Sequence, residues 1–173
     1  MTTFIALLRS VNVGGTGKLM MSDLKAQCEA AGFQKVRTFI ASGNVLFESK
    51  SGEAHVKRAL ERQLSAFVGK PVIVLVRTAA EMLAIHKANP FPTSNQSGAV
   101  AIFLDEPPAR DELKAISGRT VEQVKLGKRE IYVDYCGTLA DSKLKIPSAR
   151  SGTARNLNTV ARLAALAVSE KGA

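Results

Sequence analysis

The fold is decided by Phe4–Leu24, FIALLRSVNVGGTGKLMMSDL, which combines a strand, a glycine-rich turn and the start of a helix. The apolar run at its beginning suits a strand that is buried on both faces. Three glycines within Gly14–Gly17 free the backbone for positive φ and for close approach of another group. Ser22 and Asp23 then suit a helix N-terminus. The stretch therefore predicts an α+β protein with an exposed turn beside its first strand.

This turn does not match the phosphate loop of nucleoside triphosphatases. That loop needs glycine, four residues and then Gly-Lys-Ser/Thr, because the first glycine makes the turn and the hydroxyl holds magnesium. Here Gly17 and Lys18 match the motif. Asn12, however, occupies the position of its first glycine, and Leu19 occupies the position of its serine or threonine. The turn is then either a surface turn with solvated amides or a cradle for a different anion.

The first half of the chain predicts the element order β-α-β-β-α-β, the split arrangement of a ferredoxin-like unit. After the opening strand and a helix ending near Gly32, the apolar patterns predict elements at Gln34–Ile40, Asn44–Glu48, Glu53–Val68 and Val72–Val76. We expect Ala41–Gly43 to turn the two middle strands as a hairpin. A single long strand with a glycine bulge is the alternative.

The second half repeats the first part of this order. Thr78 and Glu81 form a capping box for a short helix, which a Pro-, Ser- and Asn-rich connector follows. Strands and helices are then expected at Ala99–Leu104, Asp111–Ile116, Val121–Leu126 and Glu130–Tyr135, with one or two helical turns at Leu139–Leu144. An amphipathic helix, begun by Ser151 or Thr153 and closed near Gly172, ends the chain.

These patterns predict an α+β fold of two ferredoxin-like β-α-β-β-α units with a C-terminal amphipathic helix. The first unit should span residues 1–78 and the second, with the terminal helix, residues 99–173. A helix and a connector at residues 79–98 should join them. The two halves share no obvious residue identity, so the duplication is structural.

Three separated motifs resemble those of the bacterial family known as domain of unknown function 1697. They are LLRSVNVGG at Leu7–Gly15, SGNV at Ser42–Val45 and TARNLNTV at Thr153–Val160. The resemblance implies paired ferredoxin-like units, no established activity and no agreed catalytic residues. This chain departs from the family pattern at Ser10, where glycine is usual, and at Leu157, where tryptophan is usual.

Composition excludes several classes of protein. The 173 residues are 46% hydrophobic, which suits a globular protein, and there is no apolar run long enough to span a membrane. The N-terminus lacks a signal-peptide pattern, so we expect a cytoplasmic protein without a membrane partner. Cys28 and Cys136 should both be free thiols, because they are too few for a disulfide framework or a zinc site. His55 and His86 are expected at the surface, and we predict no metal and no cofactor.

The net charge of +9 favours anionic partners if it is concentrated. Residues 1–78 carry +6, residues 79–108 carry −2 and residues 109–173 carry +5. The strongest basic run has no intervening acidic residue and consists of Lys143, Lys145, Arg150, Arg155 and Arg162.

The predicted start of the terminal helix, SARSGTARNLN, contains no acidic residue. A helix N-terminus carries partial positive charge and unpaired amides, and Arg150 and Arg155 would add to that charge. An external phosphate or carboxylate would resolve the conflict. A carboxylate from elsewhere in the fold, or solvent, would do the same.

Three function classes therefore stay open: a protein that binds a small anionic ligand, a nucleic-acid binder, and an interaction module without catalysis. The first is favoured, with the glycine turn and the helix start facing one cleft. The predicted ligand-binding residues are Arg9, Asn12, Gly14, Gly15, Lys18, Ser42, Asn44, Thr153, Arg155, Asn156 and Asn158. Nucleic acid is the alternative partner, although the aromatic pattern of RNA-binding strands is missing. No catalytic residue and no oligomeric state can be predicted.

Overall fold

A computed structural model describes residues 1–9, 19–39, 43–92, 98–137 and 139–169. The chain divides into two compact units, residues 1–82 with 165–173 and residues 83–164. Each unit holds a four-stranded antiparallel sheet, so the prediction of a mixed α+β fold with two ferredoxin-like units is confirmed. None of the helices in the described ranges has both the length and the apolar character needed to cross a membrane.

The first half of the chain follows the predicted order and adds one helix. Its elements are β1 (Thr2–Arg9), α1 (Met21–Ala30), β2 (Gln34–Phe39), β3 (Asn44–Ser49), α2 (Glu53–Val68), β4 (Ile73–Thr78) and α3 (Ala79–Lys87). The strand order in the sheet is β2-β3-β1-β4, and all neighbours are antiparallel. Phe39 pairs with Asn44, so β2 and β3 form the predicted hairpin and the single-strand alternative is wrong.

One face of this sheet forms the core of the first unit with α1 and α2. Phe4, Ala6 and Leu8 of β1 alternate towards this face, where the buried face of α2 packs. The rings of Phe33 and Phe47 stack with centroids 4.2 Å apart. Full burial of one leucine or phenylalanine side chain in such a core stabilises the fold by roughly 1.5–3 kcal/mol. The opposite face is buried too, because Ile5, Leu7, Leu46 and Leu75 are at most 1% exposed.

Glycines end both helices of the first unit, as expected. Gly32 has φ 89° and donates its amide to Glu29 O, while Phe33 N bonds Cys28 O. Gly69 ends α2 in the same left-handed conformation, with φ 80°. Only glycine adopts this conformation without strain. The start of α1 differs from the prediction by one residue, since the helix begins at Met21, before Ser22, and has no side-chain cap.

The second half contains β5 (Ala99–Phe103), α4 (Glu112–Ala115), β6 (Gln123–Leu126), β7 (Glu130–Asp134), a 3₁₀ helix (Pro147–Ser151), β8 (Thr153–Asn156) and α5 (Leu157–Ser169). The strand order is β6-β7-β5-β8, again antiparallel throughout. Val100, Ile102 and Leu104 pack with Ile131 and Val133 on one face. On the other face, the buried Tyr132 hydroxyl donates to Ile85 O in α3 over 2.9 Å.

The helical turns predicted at Leu139–Leu144 are wrong. This stretch forms a turn followed by chain without regular secondary structure. Ser142 directs its hydroxyl to Glu122 and accepts a bond from Leu144 N, and Lys145 pairs with Ser117 through two backbone bonds. Glu122 and Ser117, both far from this stretch in sequence, thus fix it in a non-helical conformation.

The predicted start of the terminal helix at Ser151 or Thr153 is also wrong. Thr153–Asn156 is strand β8, which pairs with β5, and α5 begins only at Leu157. Asn156 Oδ1 accepts the amide of Asn158 at the helix start. Arg150 therefore lies in the 3₁₀ helix and Arg155 in a strand, outside the first turn of α5. The predicted end near Gly172 falls outside the described residues.

The two halves are duplicated more completely than expected. In each sheet the fourth strand runs directly into a helix, so α3 and α5 are equivalent. Ile5 pairs with Arg77 as Ala101 pairs with Arg155, and each of these buried arginines donates Nη1 to the preceding carbonyl at 2.9 Å. The repeated unit is therefore β-α-β-β-α-β-α, with a 3₁₀ helix as the second helix of the second copy.

Candidate functional site

A cavity of about 360 Å³ lies in the second unit, beside the start of α5. We call it the α5 cavity. The end of α3, the following turn, the first residue of β5 and the first two turns of α5 form its walls. These walls comprise His86, Lys87, Asn89, Phe91, Pro92, Ala99, Leu157, Asn158 and Ala161. Because Val100 pairs with Asn156, the start of β5 lies next to the start of α5.

The start of α5 lacks the acidic residue that α3 has. In α3, Thr78 N donates to Glu81 Oε2 at 2.8 Å and Glu81 N donates to Thr78 Oγ1 at 3.1 Å. This is the predicted capping box. In the duplicated fold, Asn156 takes the place of Thr78 and Thr159 that of Glu81. Asn156 Oδ1 caps the start of α5, but the first turn of this helix has no acidic residue, so no negative charge of its own lies at its positive end.

The polar side chains of the cavity suit an anion, and its other walls are apolar. Lys87 and His86 come from the last turn of α3, where they also complement the negative end of that helix. The turn after α3 is held by Asn89 Oδ1, which accepts Phe91 N over 2.8 Å. Phe91, Pro92 and Leu157 supply the apolar surface. No described residue that lines the cavity is acidic.

The structure brings few of the predicted ligand-binding residues to this cavity. Of the predicted residues that the structure describes, only Asn158 lines it, although Asn156 caps the same helix. Five predicted residues lie outside the described ranges, namely Asn12, Gly14, Gly15, Lys18 and Ser42. Arg9 ends β1 in the first unit. The predicted common cleft of Asn12–Lys18 with Thr153–Asn158 therefore stays a prediction.

Asn44 has a structural position at the start of β3. It is fully buried, and its side-chain amide donates to Phe39 O over 3.0 Å, across the mouth of the hairpin. The equivalent residue of the second unit is Glu130, since Leu7 pairs with Asn44 as Phe103 pairs with Glu130. Glu130 likewise accepts two amides of its own turn. Both residues hold a hairpin turn in place.

Arg155 is similarly engaged within the fold. It is 7% exposed, and its guanidinium donates to Thr153 Oγ1 at 2.8 Å and to Ala154 O at 2.9 Å. Burial lowers the pKa of Arg155 to about 10. It does not line the α5 cavity. The arginine fork that the sequence suggested at the helix start is thus part of the strand that precedes the helix.

Three residues of the cavity were not among the predicted ligand-binding residues, namely His86, Lys87 and Phe91. They lie in the segment expected to be a helix and connector between the units. The available signal was the Asn89-Pro90 pair, because a helix usually ends before the residue that precedes a proline. His86 and His55 are both exposed, as expected.

The two cysteines form no disulfide, as predicted. Cys28 is buried among the apolar residues of α1, and burial raises its pKa to about 12. Cys136 is exposed. Among the described residues, no group of three or more His, Cys, Asp or Glu side chains is arranged to hold a metal ion.

A second basic feature of this unit is Ser142–Ser148, which we call the basic segment. Two buried carboxylates hold its ends. Glu122 accepts the Ser142 hydroxyl, and Glu112 accepts both the amide and the hydroxyl of Ser148 at 2.7 and 2.6 Å. Between them, Lys145 exchanges two backbone bonds with Ser117. The segment is therefore fixed at both ends and in the middle.

Replacing Glu122 with glutamine should reduce the loss of stability in acid. The hydrogen bond from Ser142, followed by that from Thr120 N, lowers the pKa of Glu122 from 4.5 to about 2. The unfolded chain therefore takes up a proton between about pH 4.5 and 2 while the folded chain does not, and stability falls as the pH falls through this window. Urea unfolding between pH 2 and 5 should show a shallower pH dependence for Glu122→Gln than for the parent.

Ser142→Ala serves as the matched variant, because it removes the donor that contributes most to the lowered pKa but keeps the carboxylate. Its pH dependence should lie between those of the parent and Glu122→Gln. Identical dependence in all three proteins would show that this carboxylate does not bond the serine in solution.

Fold and site together define an α+β protein of two duplicated ferredoxin-like units. The chain belongs to the family described as protein of unknown function (DUF1697), whose model matches residues 1–132. The resemblance noted in the sequence is thereby confirmed. The matched range includes the motifs at Leu7–Gly15 and Ser42–Val45 and ends before the third at Thr153–Val160.

The structure is also similar to that of the conserved bacterial protein SP0830 from Streptococcus pneumoniae. The TM-score is 0.76, and the match covers 96% of this chain and 98% of that chain. The two sequences are 21% identical, so the likeness concerns the fold alone. No curated protein matches the sequence.

Proposed function

We propose that this protein binds a small ligand bearing a phosphate or carboxylate in the α5 cavity. The observation that carries the proposal is the meeting of Lys87 and His86 with the start of a helix that has no acidic residue in its first turn. Helix N-termini bind anions through their amides and dipole, and a nearby cation strengthens the site. The volume of about 360 Å³ lies within the range of small-molecule sites.

The comparison of α3 with α5 within one chain supports this choice of ligand. Glu81 supplies a carboxylate to the start of α3, and Thr159 at the equivalent position of α5 does not. A carboxylate or phosphate of the ligand would take the place that Glu81 has in α3. The apolar walls at Phe91 and Leu157 favour a ligand whose anionic group is attached to an apolar or planar part.

The cytoplasm is the compartment that we infer for this activity. Both cysteines are free, as is usual in a reducing environment. Phosphorylated metabolites and carboxylates are the ligands with the proposed chemistry.

Thr159→Glu should stabilise the free protein and remove most of its stabilisation by anions. The new carboxylate would occupy the start of α5 as Glu81 occupies α3, a gain of roughly 0.3–1 kcal/mol. In the parent, a bound anion should add about 2.7 kcal/mol at a hundredfold excess over its Kd. The measurement is thermal unfolding with inorganic phosphate, pyrophosphate and a series of phosphosugars.

Thr159→Gln is the matched control, because it has nearly the same shape without the charge, and it should keep the anion effect. Lys87→Gln should weaken that effect, while Lys70→Gln in the first unit should not. Equal stabilisation of the parent and Thr159→Glu by every anion would contradict the proposal.

A further inference from the structure

A basic groove runs along the exposed side of the basic segment and shares no lining residue with the α5 cavity. It consists of two neighbouring cavities of about 480 and 350 Å³ that share Ser117 and Lys145 as walls. Arg150 lines the larger cavity and Lys143 the smaller. None of the described residues that line them is acidic. The walls of the groove therefore contain three basic residues, Lys143, Lys145 and Arg150.

The two carboxylates that hold the ends of the basic segment do not offset this charge at the surface. Glu112 and Glu122 are only 3% and 2% exposed, and both accept hydrogen bonds from the serines that bound the basic segment. The lysines between those serines are exposed. Negative charge is thus directed inward and positive charge outward on the same segment.

The groove is also preorganised. The two backbone bonds between Ser117 and Lys145 are 3.1 and 2.8 Å long and hold its floor. Gly118 lies so close to Lys143 O that a Cβ atom would collide with this backbone oxygen. The backbone of the groove would therefore need little rearrangement on binding, which lowers that part of the entropic cost.

We propose that the basic groove binds single-stranded nucleic acid through its phosphates. Lys143 and Lys145 are both exposed, alternate with the less exposed Leu144 and Ile146, and line the same cavity. A row of cations over two joined cavities suits a polymer that carries one charge in each repeating unit. Pro147, which is exposed and lines the larger cavity, offers apolar surface to its sugars.

Binding of this kind should be independent of base sequence. Proteins that bind single-stranded nucleic acid, with or without sequence preference, stack bases on aromatic side chains. No described residue that lines the groove is aromatic. Affinity should then rest on phosphates alone and fall steeply with salt. This inference concerns another surface and another ligand than the proposed function, and either can fail without the other.

The test is titration of the full chain with a fluorescent 12-nucleotide oligothymidylate between about 20 and 200 mM salt, a range in which phosphate contacts dominate. For single strands, log K falls with log salt by about 0.7 for each phosphate contacted. The double variant Lys143→Gln and Lys145→Gln should therefore bind more weakly, with a slope reduced by about 1.4. Lys143→Gln alone should reduce the slope by about half as much.

Arg62→Gln with Lys70→Gln is the matched control, since it removes the same charge from exposed positions of the first unit. It should keep the slope of the parent. Equal losses in the two double variants would overturn the proposal, and so would absence of binding at the lowest salt concentration. An oligoglutamate peptide that displaces the oligonucleotide at equal charge concentration would assign the groove to acidic protein partners and would also overturn it.

Discussion

Gly118→Ala is expected to lower the free energy of unfolding of the second unit by roughly 2–5 kcal/mol, combining backbone strain with overpacking. Gly118 has φ +69°, a conformation that alanine adopts only with strain. An added Cβ would also collide with the carbonyl oxygen of Lys143 and lie 2.7 Å from its carbon. These are backbone atoms, held in turn by the pairing of Lys145 with Ser117, so they cannot yield as the end of a side chain can.

The measurement is urea unfolding, with Gly137→Ala as the matched control. Gly137 belongs to the same unit and has φ +82°, but no heavy atom of the described residues lies within 4 Å of the position that an alanine methyl group would take there. Its replacement should therefore cost only the conformational part, about 1–2 kcal/mol. Equal costs at the two positions would show that Gly118 does not pack against the basic segment.

The elements that the sequence predicted best carry their own signals. The bounds of α2, Glu53–Val68, agree with the prediction because an apolar face repeats at helical spacing and Gly69 and Pro71 follow it. The capping box of Thr78 and Glu81 likewise located α3. Local chemistry is sufficient where an element is specified by the residues within it.

The start of α5 shows the opposite case. TARN at Thr153–Asn156 has little strand propensity, and a polar stretch before an apolar repeat is typical of a helix start. It forms β8 because β5 offers a pairing edge, and that partner lies some fifty residues earlier in the chain. Strand formation of this kind depends on context more than on propensity, so local patterns did not reveal it.

The anion site itself stays a prediction, and the structure changes which residues would form it. The helix start without an acidic residue, expected from the sequence, lies at Leu157 and Asn158. The basic side chains that line the same cavity, Lys87 and His86, come from another helix, and the pairing of β5 with β8 brings the start of α5 beside β5. Net charge cannot show which of 24 lysines and arginines will converge on one cavity.

The buried arginines show how the register changes the interpretation of a residue. From the sequence, Arg155 was expected to stand at a helix start and contact an anion. In the structure it occupies the same sheet position as Arg77, which is 1% exposed in the other unit. Both donate to the carbonyl that precedes them. Two equivalent positions with the same bond indicate that this arginine belongs to the duplicated scaffold.

Arg155→Ala should therefore destabilise the protein by about 3 kcal/mol, because it leaves a void and removes hydrogen bonds from a charged donor. Thr153 Oγ1 and Ala154 O would each lose the hydrogen bond that the guanidinium now donates to them. Urea unfolding checks this, with Arg110→Ala as the control, since Arg110 is exposed in the same unit and its loss should change stability by no more than about 0.5 kcal/mol. Phosphate should still stabilise Arg155→Ala, because Arg155 does not line the α5 cavity. A stability equal to that of the parent, with the phosphate effect abolished, would return Arg155 to the ligand site and contradict its structural role.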